Sequence, residues 1–349
     1  MIKHFSVENF HSILRKSSID PNPFDYSLLA NGNKNINIII NDSDINNDYI
    51  SAMLALKKMV ASSEIELNSH HPIHLFLPNF GNPDYISQPT ALEIIFNINS
   101  IEYIYKISVL NNTIVYEYLS YFIDNDEEDH EYLVFERKYQ DGESYLIELK
   151  GEYFLDHRID IDTFYKVEKH TLLLSQLFKA NLRTNIYTDI ENWFKNYFCS
   201  TLPTAQPSES SVAFLNEFAI DVREIRFVDD KVFTVYHGAG NTELCIDLDN
   251  ESSGVRELLK LEPLLHAEGF FVLDFGYSAL HPLVIKQFLN TMRKKSKCQL
   301  LVNIRSLHHV DTTQFDHLNI FLLIEERSHK KVVSLYDFNN PQKLELKYS

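Results

Sequence analysis

Apolar residues Ile2, Phe5, Val7 and Phe10 recur among polar ones at the start of the chain, so 2–10 reads as a strand. NINIIIND (35–42) is a β-branched run and predicts a central strand. Directly after it, Ala52, Leu56, Met59 and Val60 recur at helical spacing, predicting a helix from Tyr49 to Ser62. Between 72 and 155 the pattern changes to strands joined by polar turns. The segments 92–98, 102–110, 113–123, 131–139 and 144–150 predict an antiparallel meander. Residues 159–202 turn helical and hold the only tryptophan, Trp193. TLPTAQPSESS (201–211) has the composition of a linker, and the stretch from Asp221 to Leu248 reads as a β-hairpin or short meander. The last third alternates between the two periods. A helix over Glu251–Ala267 precedes an apolar strand over Phe270–Asp274, and a helix over Pro282–Lys295 precedes a buried strand over 299–304. Strands at 319–326 and 331–338 form a closing hairpin. An acidic residue at the end of such a strand, here Asp274, points at a ligand crevice in α/β sheets.

Length and charge narrow the reading. The 349 residues suffice for one large domain or two small ones, and 44 % hydrophobic residues can fill a sizeable core. A formal net charge of −17 opposes general attraction to nucleic acid or anionic lipid. Cys199, Cys245 and Cys298 are far apart and form no CxxC pair, which excludes a zinc ribbon or a disulfide framework and suits the cytoplasm. No run approaches the roughly 20 apolar residues of a membrane span, and the first residues lack the apolar core of a secretion signal.

Several segments resemble the ABC-type ATPase heads of RecF, SMC and OLD-like proteins and of AAA-labelled phage-defence ATPases. IKHFSVENFHSI (2–13) is similar to their opening strand, with His11 where many relatives carry Arg. The strand, loop and helix over 35–62 stand where those heads carry a P-loop. ESSG (251–254) is similar to their signature motif, with Val255 departing at its last place, and YSALHP (277–282) to their D-loop. The resemblance implies an α/β fold: a mixed core sheet, an antiparallel β-lobe and a helical lobe. It divides the chain into 1–158, 159–211 and 212–349, three parts of one composite head. At this length the resemblance leads to the expectation of neither the nuclease domain of OLD-type proteins nor the long coiled coil of SMC-like ones.

The nucleotide motifs survive unequally. A P-loop needs glycines to turn backbone N–H groups toward phosphate, a Lys for the phosphates and a Ser or Thr for Mg²⁺. Here Asn46 takes the lysine position and Asn47 the Ser/Thr position, no glycine lies between Gly32 and Gly81, and Asp42, Asp44 and Asp48 bring negative charge. The strand that should end in Asp-Glu ends in Asp274-Phe275, and Phe275 can neither take a proton nor orient water. Arg305 replaces the switch histidine. On the other half of the site, Ser252, Ser253, Gly254, Ser278 and His281 match an interface that would face a partner's nucleotide. Ser252 reads equally well as a helix N-cap, and Leu280-His281-Pro282 as a helix start. The implied protein is a pseudo-ATPase: no catalytic residues, no cofactor, no metal. It acts through protein partners, an ATPase or effector subunit, in a bacterial anti-phage or toxin-linked complex. The alternatives are a donor of its signature half-site to an active partner and a weak nucleotide-dependent enzyme.

Three charged clusters carry no chemistry in this reading. The acidic run 124–131 is a solvated turn, and His70, His71 and His74 lack zinc-like partners. Arg293, Lys294, Lys295 and Lys297 read as compensation of a helix C-terminus, the alternative being a nucleic-acid contact that the net acidity opposes.

Overall fold

The computed structural model describes residues 1–13, 17–19, 36–41, 48–61, 76, 78, 83–123, 130–140, 145–149, 167–179, 185–199, 201–313, 315, 319–326 and 329–335. Asp42, Asp44, Asn46, Asn47 and the three histidines at 70, 71 and 74 lie outside them.

The first sheet is antiparallel. β1 (Ile2–Glu8) pairs with β2 (Ser17–Ile19) on one side and β4 (Thr90–Ile98) on the other. The meander continues through β5 (Ile101–Leu110), β6 (Thr113–Ile123), β7 (Glu131–Tyr139) and β8 (Tyr145–Leu149). Two of its turns are two-residue loops with left-handed backbone at both positions: Asn99 and Ser100 (φ 51° and 66°), and Asn111 and Asn112 (φ 49° and 60°). That is type I′ hairpin geometry, which follows the twist of the flanking strands, and asparagine reaches it without glycine.

The second sheet is the core. Its order is β12 (Phe270–Asp274), β13 (Gln299–Ile304), β3 (Ile36–Ile40), β14 (Ile320–Glu326) and β15 (His329–Ser334). The first four strands run parallel and the closing hairpin is antiparallel. Every residue of β3 is buried, as a strand covered on both faces requires. Ile39, Phe270, Leu301 and Phe321 face the same core as the first sheet and helix α1 (Asp48–Ala61). Ile36, Ile38, Leu273 and Val302 face the opposite core with α5 (Glu209–Glu217), α6 (Ser253–Leu261) and α7 (Pro282–Lys295). Gln299 joins the two sheets: it accepts from Ile2 N at 2.9 Å and donates to Ile2 O at 2.8 Å.

The remaining described helices are the short α2 (Pro83–Ile86), α3 (Leu173–Lys179) and α4 (Asn185–Asn192), which runs on into a π turn over Trp193–Tyr197. Trp193 stacks on Phe96 at 4.1 Å and fixes this lobe to the first sheet. A buried ion pair fixes α3. Glu117 of β6 accepts from Leu173 N at 2.7 Å and Leu174 N at 2.9 Å, supplying the helix's N-terminal acceptor from the sheet. Arg137, opposite it on β7, lies 3.6 Å away and donates to the carbonyls of Val167, Glu168 and Thr171.

Three expectations change. The helix expected over Glu251–Ala267 is α only from Ser253 to Leu261, because Pro263 has no N–H to donate and the chain tightens into a 3₁₀ turn over Glu262–Leu265. Residues 167–172, expected helical, are turn and extended backbone that feeds carbonyls to Arg137. The 201–211 linker ends early, since α5 begins at Glu209, where Ser208 N donates to Ser211 Oγ at 2.9 Å. A three-stranded meander, β9 (Val222–Val228), β10 (Lys231–His237) and β11 (Glu243–Asp247), precedes α6.

Candidate functional site

Parallel order places the carboxyl ends of β12, β13 and β3 side by side, with Asp274 opposite Asn303 and Ile304 opposite Ile40. A crevice at such an edge is where open α/β sheets bind ligands. Asp274 is exposed there. Its Oδ1 accepts from Asn303 Nδ2 and from Gly276 N, both at 2.8 Å. A side chain at Gly276 would meet that same oxygen at 3.0 Å, so the turn after β12 is shaped around the carboxylate. Oδ2 has no hydrogen-bond partner among the described residues. Asp274 is therefore oriented with one oxygen free.

Phe275 points the other way. It is 6 % exposed, belongs to the core beneath α6 and α7, and meets Phe288 edge to face at 5.8 Å. Its amide donates to Asn303 O at 2.9 Å, which holds the backbone in place. The position following the acidic strand end is thus part of the hydrophobic core. Arg305 is exposed, and its guanidinium sits 4.7 Å over the ring of Tyr277. A guanidinium offers only donors and cannot act as a neutral hydrogen-bond acceptor.

The start of α1 carries a carboxyl group of its own. Asp48 is buried, accepts from Ser12 N at 3.0 Å and from Ser12 Oγ, and lies 3.7 Å from His11 Nδ1. Asp48 thus places a carboxyl group in the first turn of α1, the kind of helix end that suits a bound phosphate in other proteins. His11 holds a left-handed backbone (φ 49°) and stacks on Phe10 at 4.2 Å.

The ESSG segment and the YSALHP segment form one surface. Ser252 Oγ accepts from Val255 N at 3.2 Å, so this hydroxyl caps α6. Ser253 is exposed in the first turn. Gly254 is half-buried, and a side chain there would find only Leu280 Cδ2, at an ordinary 3.7 Å. One turn later, Glu257 accepts from Ser278 Oγ at 2.6 Å and from Ala279 N at 3.0 Å, tying α6 to the following loop. His281 caps α7 through Nδ1, which accepts from Leu283 N at 3.2 Å. Behind this surface Glu251 is buried and accepts from Tyr236 Oη at 2.7 Å, Thr234 Oγ1 and its neighbour Ser252 N at 3.0 Å. Burial beside this carboxylate pushes the Tyr236 hydroxyl up to about 12.

Glu257 carries no signal in the sequence, because its partners lie more than a helix away. Among the described residues, no three His, Cys, Asp or Glu side chains come together as a metal-binding set.

This architecture overlays on a solved SMC head bound to the C-winged helix domain of ScpA with a TM-score of 0.51, covering 97 % of this chain and 99 % of that one at 13 % identity. The fold is an ABC-ATPase-like head. The SMC head domain from Thermotoga maritima (14 % identity, TM-score 0.45, 95 % and 98 % covered) overlays less closely. So does the recombination mediator RecF-ATPrS (10 %, 0.39, 96 % and 98 %). No family model matches the sequence, and no curated protein matches it. In this fold Asp274 stands exposed at the carboxyl end of β12. The ESSG and YSALHP segments form the joined surface just described. No described helix is long and apolar enough to cross a membrane.

Proposed function

We propose that this chain is a catalytically inactive ATPase-like head that works as a scaffold or regulator through protein partners. The observation that carries the reading is Phe275. The place of the water-activating carboxylate is taken by a ring buried in the core under α7. Asp48 supports it, since it puts a carboxyl group in the first turn of α1, the helix end that attracts phosphate in other proteins. The SMC head of the same fold was solved with a protein domain bound, and an ATPase or effector subunit is the matching partner here. The anti-phage or toxin-linked setting rests on the family resemblance alone.

Two measurements test the reading on the purified chain. ATP and GTP turnover should be absent, and millimolar ATP–Mg²⁺ should leave the melting temperature unchanged, whereas a ligand at 100 times its Kd stabilises by about 2.7 kcal/mol. Phosphate release that disappears in Asp274→Ala would overturn it.

A second reading, in which the chain lends its ESSG surface to an active partner, is favoured by Gly254. Neither backbone nor space within the chain demands glycine there, and glycine in a helix costs about 0.5–1 kcal/mol relative to alanine. An approach by something outside the chain would account for it. Gly254→Ala should leave the isolated protein as stable or more so. Gly254→Asp and Ser252→Arg should then abolish assembly with a GxxxxGK[ST]-bearing partner or that partner's ATP turnover. Unchanged assembly and turnover in both leaves the scaffold reading.

A further inference from the structure

A cleft of about 460 Å³ lies between the 202–207 segment and α6. That volume falls in the range of small-molecule sites. Its apolar lining comes from Leu202, Leu248, Leu259 and Pro263. The 202–207 wall contains Pro203 and Pro207, which hold the chain extended and offer no N–H. Two cations stand one helical turn apart on the opposite wall, Arg256 and Lys260, and both are exposed. Neither is in an ion pair among the described residues. Arg256 Nη1 donates only to the backbone carbonyl of Asp249, at 3.4 Å, and Lys260 has no partner among the described residues. The Asp249 carboxylate is the one negative group in the lining. In a chain of net charge −17, an apolar cleft with two uncommitted cations against one carboxylate is an unusual local balance.

We propose that this cleft binds a small amphipathic anion, an apolar body of medium-chain length with one anionic headgroup. The body would lie on Leu202, Leu248 and Leu259, and the headgroup would take charge-assisted hydrogen bonds from Arg256 and Lys260. The ligand would sit on the helix whose first turn carries Ser252 and Gly254. The site stands whether or not the head uses nucleotide.

The test uses the full chain and the probe 1-anilinonaphthalene-8-sulfonate, itself an apolar body with one anionic group. Fluorescence titration should saturate at one probe per chain. Decanoate should displace it at a concentration at least about tenfold below that of decylammonium, the size of one charge-assisted hydrogen bond. The double variant R256E/K260E should lose or reverse that preference. Leu202→Asp should weaken both competitors, and because Leu202 is already 39 % exposed the fold should survive, as circular dichroism would check. Binding that does not saturate overturns the proposal. So does equal displacement by decanoate and decylammonium, or a probe affinity unchanged in both variants.

Discussion

Replacing Phe275 by Glu would supply the carboxylate that ATPase heads carry after the acidic strand end, and the geometry predicts that it costs stability without creating activity. The native ring is 6 % exposed and packs edge to face on Phe288. Removing a buried Phe costs about 3–5 kcal/mol when the cavity cannot collapse, and the lost aromatic pair is included in that figure. Glutamate fills part of the space but brings an ionisable group into an apolar layer of Leu273, Leu280 and Ile285. Burial raises its folded pKa above the unfolded value of about 4.3. The neutral form is then the one that folding tolerates. The penalty is smallest below the unfolded value and grows as pH rises through the folded one. At pH 8 the loss should reach about 4 kcal/mol, a fall of roughly 1 M or more in the urea midpoint. At pH 5 it should be visibly smaller, and Phe275→Leu should lose less at both. Urea titrations followed by Trp193 fluorescence at the two pH values read this directly, with ATP turnover measured in parallel. A Phe275→Glu protein as stable as wild type at pH 8 would mean that this side chain can turn out into the crevice. Turnover in that variant would refute the assignment of the site.

Arg137→Met removes the counter-charge of the buried Glu117 and should cost about 3–5 kcal/mol at pH 8. Burial already pushes the Glu117 carboxyl up, and without Arg137 it moves further. The loss should therefore shrink as pH falls toward the unfolded carboxyl value, and a pH-independent loss in urea titrations would count against the pairing. Asn37 is buried in β3 and neither side-chain polar atom finds a partner among the described residues. Asn37→Leu should raise stability by about 1 kcal/mol in thermal or urea unfolding, and a loss would show that a partner exists. Cys245 is exposed while Cys199 and Cys298 are buried, and burial pushes both buried thiols up. A thiol reagent should titrate one cysteine quickly in the native protein and the other two only in denaturant; rapid reaction of three would contradict the packing.

Sequence pattern resolved the elements best where local chemistry and burial agreed. The strand Phe270–Asp274 and the helix Pro282–Lys295 match the structure to the residue, since a proline at the first helical position and an apolar run of strand length leave little choice. The α5 helix was hidden by the Pro- and Ser-rich composition before it, and its cap depends on Ser211 rather than a glutamate. The acid at the crevice was legible because it ends a strand. The direction of Phe275 was not, since alternation beyond the last paired residue depends on how the turn at Gly276 closes. Glu117 and Glu257 carry no mark in the sequence, and Glu251 enters only as the first letter of ESSG. Each acquires its role from partners brought in by the fold: two amides of α3, two hydroxyls of β10, and the hydroxyl and amide of Ser278 and Ala279.

The central position of β3 has a consequence for synthesis on the ribosome. Its Ile36 pairs with Leu300, and its Ile38 pairs with Ile320 of β14, so its neighbours emerge about 260 and 280 residues later. At about 5–20 residues per second, translation leaves this strand without either neighbour for roughly 10–50 s. During that interval five consecutive residues, INIII, offer unpaired backbone and β-branched side chains to any passing chain. Until β13 and β14 are made, this short segment is the sheet's exposed edge in the nascent protein.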